Sequence, residues 1–272
     1  MTYLQAIIIA IIEGLTEFLP ISSTGHMVIA SALMGIEGDA FTQLFEVVIQ
    51  MGAILSVVVL YWRRFIQNFD IYIKLAIAFV PTAIIGLLFY KHIKAVLAQP
   101  LVIATVLLLG GIILLFIDKY FEKNERVDNT DAVFSYKNAF IVGCFQSLAV
   151  VLPGLSRAAA TIIGGLSQGF NRRIAAEFSF LLAVPTMAAA SLKDGYEYYK
   201  DVVEGALPPL SSEQVWTLVL GNVVAFIVAL IAIKSFIGFL TNNGFKIFGW
   251  YRIVVGLLIL GLYFAGYELF VD

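Results

Sequence analysis

The sequence predicts an all-α integral membrane protein, with six transmembrane helices and two re-entrant helical hairpins arranged as an inverted repeat. Three observations predict it: composition, the spacing of apolar runs around two proline breaks, and the distribution of Lys and Arg. The chain has 272 residues, of which 61% are hydrophobic and only 13% charged, with a mean hydropathy of +0.94. Soluble domains carry about a quarter charged residues, so half that value with long apolar runs means a membrane protein. The net charge of −2 excludes nucleic acid as a partner. A single cysteine, Cys144, excludes an internal disulfide and any C-x-x-C cluster. Met1–Gln5 lacks Lys and Arg, and Glu13 interrupts the first apolar run, so no secretory signal peptide is expected.

The first element, residues 4–34, is not a simple span. Ile12 to His26 reads I-E-G-L-T-E-F-L-P-I-S-S-T-G-H. Glu13 and Glu17 lie four apart, so a helix stacks their carboxylates on one face. Pro20 is expected to stop that helix, and Ser22, Ser23, Thr24 and Gly25 form a polar turn before His26 opens the next apolar run. Ionisable groups at this depth are costly and mark a functional cavity. Only about ten residues follow the break. They cover about 15 Å, half the hydrocarbon core, so the segment is read as a hairpin that leaves on the side it entered.

Three spans are predicted next, at 42–62, 71–90 and 101–117. The mixed-charge stretch 118–137 is a solvated linker. Residues 138–168 repeat the hairpin pattern around Pro153-Gly154, and spans at 174–192, 215–233 and 253–271 complete the chain. Glu46 and Gln50 share a face early in the first span. Glu177, near the start of the fourth, is assigned to Arg172 or Arg173. Trp62, Trp250 and Tyr251 are read as interfacial anchors, and Lys234 and Arg252 as snorkelling cations at helix ends.

If 138–168 returns to its own side, one membrane face carries twelve Lys and Arg and the other four. A crossing segment would make the split nine against seven. The larger bias follows the positive-inside rule and selects the re-entrant form. A shift of 133 residues superposes Pro20 on Pro153, Leu15 on Leu148, Leu19 on Leu152, Glu13 on Gln146 and Ser23 on Ser156. The chain thus divides into repeat 1 (about 1–118) and repeat 2 (about 134–272) within one membrane domain. Each half holds a hairpin and three spans, and the odd number inverts the second copy. Both breaks then meet near the midplane.

Around the second break the chain reads Q-S-L-A-V-V-L-P-G-L-S-R-A-A-A-T, residues 146–161. Arg157 is the one basic residue deep in an apolar segment, and its planar fork suits phosphate or carboxylate oxygens. Two helix starts with hydroxyls (Ser22–Thr24; Ser156 and Thr161) and free N–H groups make an anion site. Ser22, Thr24, Ser156, Thr161 and Gln50 are the candidate substrate-binding residues. Ser23, assisted by His26, is a candidate nucleophile at phosphorus, with direct attack by water or by His26 left open. Glu13 and Glu17 are placed to hold Mg²⁺ or Ca²⁺. Arg157 stabilises the transferring phosphoryl group. Catalysis is thereby assigned to Ser23, His26, Glu17, Glu13 and Arg157. The alternative is a lipid-phosphate flippase or anion transporter, because inverted repeats with broken helices also build transporters.

With E-G-L-T-E-F-L-P-I-S-S-T-G-H and P-G-L-S-R in view, the chain resembles the undecaprenyl-diphosphate phosphatase family, also called the bacitracin-resistance phosphatases. F-E-V-V-I-Q-M-G (45–52) and E-F-S-F-L-L-A-V-P (177–185) extend the resemblance to essentially the full length. The resemblance implies hydrolysis of a C55 isoprenyl diphosphate to the monophosphate lipid carrier, in cell-wall precursor recycling and bacitracin resistance. It implies a divalent cation and a multi-pass protein of the bacterial inner membrane, with its site towards the outer face. By motif match Glu13 and Glu17 take the family's acidic positions, Ser23 its serine, His26 its histidine and Arg157 its arginine. The expected partners are a polyprenyl diphosphate and the bilayer, and a homodimer is left open. One departure stands out: the family pattern P-G-x-S-R-S-G-x-T has Ala158 and Ala159 here in place of Ser and Gly. One hydroxyl fewer is therefore expected at the phosphate, with a methyl group in the way of close approach.

Overall fold

A computed structural model of the chain describes residues 1–67, 69–90, 93, 96, 99–121 and 134–265. Most of the linker 118–137, His92 and the end of the last predicted span lie outside the described residues. Among the described residues the secondary structure is helical throughout, with no strand. The first broken pair is α1 (Tyr3–Thr16) and α2 (Ser23–Leu33). Then come α3 (Ala40–Leu60), the short α4 (Trp62–Gln67), α5 (Asp70–Leu88) and α6 (Pro100–Phe121). The second broken pair is α7 (Tyr136–Val151) and α8 (Arg157–Ser167). The chain continues as α9 (Arg172–Val203), α10 (Ser212–Asn243) and α11 (Lys246–Phe264).

Local chemistry explains the boundaries. Thr2 with Gln5, Ser135 with Asn138 and Ser211 with Gln214 form capping boxes that start α1, α7 and α10. α1 ends at Thr16, earlier than Pro20 alone requires. The Thr16 carbonyl, which Pro20 has no N–H to reach, accepts instead from the Leu19 N–H at 3.2 Å. Six helices (α3, α5, α6, α9, α10 and α11) are long and apolar enough to cross a membrane. α9 and α10 each run 32 residues, about 48 Å, so they outreach the predicted spans and the roughly 30 Å hydrocarbon core. By contrast α1, α2, α7 and α8 have only 14, 11, 16 and 11 residues.

Exposed Leu87, Leu109, Phe116, Ile227 and Leu258 form part of the lipid-facing surface. Inside, small residues let helices approach, as in membrane bundles generally. A Cβ on Gly143 would overlap the backbone of Ala78, which draws α7 tight against α5. The pairing exchanges the two halves: α1 packs on α10 and α7 on α5, while α3 meets α9 and α6 meets α11. At the end where α9 begins, Asp118 accepts from Arg172 at 2.9 Å and from the Phe245 N–H at 2.7 Å. Glu177 instead pairs with Arg173 at 3.2 Å and Arg64 at 3.5 Å.

Candidate active site

The two breaks face each other. Ser22 and Ser156 cap α2 and α8 with φ of 69° and 73°, the only non-glycine residues with positive φ among those described. Each such conformation costs on the order of 1–3 kcal/mol and persists where its surroundings over-determine it. Here each side chain accepts from the backbone N–H three residues on, Gly25 at 3.4 Å and Ala159 at 3.2 Å. The shared conformation corrects the repeat alignment. Gly154 inserts one residue after the proline, so Ser22, not Ser23, is the counterpart of Ser156. Ser23 therefore occupies the place held in the second half by Arg157.

Those two first-turn residues meet on one carboxylate. Ser23 Oγ donates to Glu17 Oε2, and the Arg157 guanidinium donates to Glu17 Oε1 at 2.7 Å. Arg157 also donates to the Ser179 carbonyl at 3.0 Å and lies 5.7 Å from the centre of the Phe18 ring. Its Nε is buried without a partner, a donor held in reserve. Around this cluster opens a cavity of about 190 Å³, lined on its polar side by Glu17, Ser22, Ser23, Thr24, Gln50, Ser156 and Arg157. Thr186, Met187, Ala190, Ala149, Val150 and Pro153-Gly154 complete the wall.

Three predicted site residues lie behind that wall. Glu13 is fully buried and both its oxygens lack a hydrogen-bond partner; Glu17 and Glu46 are its nearest acidic neighbours. Thr161 donates to the Arg157 carbonyl at 2.8 Å and shares a 2.6 Å hydrogen bond with Ser179, so it braces α8. His26 is turned elsewhere. The Ser22 carbonyl can only accept, so Nδ1 donates to it at 2.7 Å; in the neutral ring Nε2 then accepts from the Tyr251 hydroxyl at 2.7 Å. Tyr251, predicted as an interfacial anchor, thus also holds the histidine. Ala158 and Ala159 are buried and line no part of the cavity, so their methyl groups do not obstruct an anion there.

Arg252 corrects another reading. It does not snorkel; it is fully buried. All five of its N–H donors reach carbonyls: Leu107 (3.3 Å), Pro20 (3.2 Å), Leu155 (2.8 Å), Val106 (3.3 Å) and Gly154 (2.9 Å). A Cβ on Gly110 would collide with the guanidinium, so that glycine supplies its space. Arg252 therefore ties the Pro20 turn and the Gly154-Leu155 turn to α6, and Ser156 adds a 3.4 Å hydrogen bond to the Leu19 carbonyl.

Among the described residues no group of three or more His, Cys, Asp or Glu is arranged as a metal cage. Both oxygens of Glu13 stand without partners and suit a hard divalent cation, which is commonly held by one or two carboxylates with phosphate and water, whereas both oxygens of Glu17 are taken by Ser23 and Arg157.

A family profile described as bacitracin resistance protein BacA matches residues 6–258. A protein of Flavobacterium psychrophilum named undecaprenyl-diphosphatase is 55% identical over 264 residues, covering 97% of each chain. One of the same name from Porphyromonas gingivalis is 51% identical over 287 residues, covering 99% of each. A third, from Aquifex aeolicus, is 46% identical over 260 residues, covering 95% of this chain and 97% of its own.

Proposed function

The chain belongs to the bacitracin resistance protein BacA family, and we infer that it hydrolyses undecaprenyl diphosphate to the monophosphate carrier and inorganic phosphate. The observation that carries the mechanism is the single carboxylate, Glu17, holding the Ser23 hydroxyl and the Arg157 guanidinium at one cavity. An incoming terminal phosphate competes with Glu17 for Arg157 and takes the unpartnered Nε–H as well. Glu17 Oε2 is the acceptor already hydrogen-bonded to the Ser23 proton. Ser23 Oγ attacks phosphorus, the bridging P–O bond breaks, and the prenyl monophosphate leaves. Water then cleaves the phosphoserine ester and releases phosphate. Arg157 and the N–H groups that open α2 and α8 stabilise the equatorial oxygens. His26 acts through the backbone, holding the Ser22 carbonyl and with it the turn that presents Ser23.

A divalent cation, Mg²⁺ or Ca²⁺, held by Glu13 and Glu17, would neutralise charge on the diphosphate. The protein is multi-pass in the membrane, and the inner membrane is the proposed location. The two broken pairs are read as re-entrant, because 11 residues of α2 or α8 extend only about 17 Å. With Arg252 buried and removed from the count, eleven cations against four support placing the 118–137 linker inside; a site towards the outer face follows from the family resemblance. Phosphate release by the purified chain from C55 diphosphate tests the reading. Ser23→Ala is expected to abolish turnover while Ser22→Ala lowers it far less. The reverse ranking in folded proteins would reassign the nucleophile.

A further inference from the structure

The phosphate cavity holds about 190 Å³, far too little for a chain of 55 carbons, so the lipid must leave it sideways. Its wall divides by chemistry. Glu17, Ser22–Thr24, Gln50, Ser156, Arg157 and Thr186 supply its polar lining, while Ala149 and Val150 of α7 and Met187 and Ala190 of α9 supply an apolar strip. α7 and α9 share no packed interface, although α1 and α3, the corresponding helices of the first half, do pack together. Gln146 of α7 donates to Thr186 of α9 at 3.1 Å, beside Met187 and one turn before Ala149, Val150 and Ala190. The outward flanks of the two helices are lipid-facing, with Val151 43%, Leu152 42% and Leu192 71% exposed. Thr186 lies 14 residues into α9, about 21 Å from the helix start. That depth is still inside a hydrocarbon core of roughly 30 Å.

We propose that the gap between α7 and α9, floored by Gln146–Thr186 and walled by Ala149, Val150, Met187 and Ala190, is the path by which the prenyl chain of the substrate passes from the phosphate site into the bilayer. The small residues Ala149 and Ala190 keep it open. The only polar side-chain atom in the strip is the Met187 sulfur, a weak acceptor 3.6 Å from the Arg157 guanidinium; the rest is hydrocarbon, which suits a branched chain and leaves recognition to the diphosphate. Selection for a long prenyl chain therefore resides here and not at Arg157. This path rests on the phosphatase reading above.

The test compares two substrates on the full-length protein in one detergent: C55 diphosphate and the five-carbon isopentenyl diphosphate, whose tail ends within the cavity. Ala149→Phe and Ala190→Phe narrow the gap from opposite walls. Each is expected to lower kcat/KM for the C55 substrate at least ~10-fold, mainly through KM, the scale on which an apolar site discriminates by size. The five-carbon substrate meets the same cavity wall but not the gap beyond it, so its loss should be several-fold smaller than that of the C55 substrate. Leu148→Phe, on the lipid face of α7 with Leu148 50% exposed, should alter neither. Equal losses for both substrates in both variants, no loss in either, or the same selective loss in Leu148→Phe would overturn the path. A parent protein that releases phosphate from neither substrate would instead overturn the phosphatase reading on which the path stands.

Discussion

Arg252→Lys keeps the charge and removes the fork. The guanidinium places five N–H donors on five carbonyls; an ammonium has three donors radiating from one point. The Val106 and Leu107 carbonyls lie inside α6 and keep their helix partners, but one ammonium does not span the Pro20, Gly154 and Leu155 carbonyls, so at least one of these loses its partner in a site closed to water. An orphaned buried acceptor costs roughly 1–3 kcal/mol, so losing one or two amounts to about 1–6 kcal/mol. Three of the five carbonyls, those of Pro20, Gly154 and Leu155, belong to the turns that carry Ser22, Ser23, Ser156 and Arg157. The loss should therefore appear twice. Thermal unfolding in detergent should drop by on the order of 5 °C or more. Phosphate release should fall by more than ~10-fold even in the fraction that stays folded, because a small misplacement at the reacting centre is amplified in rate. Arg252→Met leaves the Pro20, Gly154 and Leu155 carbonyls without this partner and should not yield folded protein. A lysine variant with the parent's melting temperature and turnover would refute the argument, since the turns would then be held without the fork.

Arg157→Lys should lower kcat/KM by about 10- to 100-fold, the value of a lost hydrogen bond to a charged group, measured by steady-state phosphate release. A transporter needing only positive charge would tolerate the change. Glu13→Gln should raise the Mg²⁺ or Ca²⁺ concentration required for half-maximal rate, and a variant with the parent's metal dependence would place the cation elsewhere. Tyr251→Phe removes the donor to His26 Nε2 and should lower kcat up to about tenfold, the range for a neutral hydrogen bond, with KM little changed.

Much of this protein was legible in the sequence because the signals are local. Apolar run length against bilayer thickness located six spans, and the two proline breaks located both turns. Glu17 and Arg157 stood out as ionisable groups in apolar surroundings. Helix ends were less legible: α9 and α10 run past their apolar windows because capping and charged turns continue the helix into water. Only the tertiary structure decided who meets whom. Glu17 and Arg157 are 140 positions apart; a buried arginine calls for an anionic partner, Glu13 or Glu17, and only the packing chose Glu17. Arg252 looked like an end-of-helix cation. Its burial depends on Gly110 in a neighbouring helix leaving room for it, a complementarity that no single segment encodes. The register slip at Gly154 likewise depends on backbone conformation, with φ of 91°, so the repeat matched at the prolines and failed two residues later. His26 had the right chemistry for proton transfer, but its ring direction was set by Ser22 and Tyr251. Periodicity and composition report what each segment buries. The choice of partner is made when the segments pack, because it depends on which carbonyls, donors and gaps arrive at the same place.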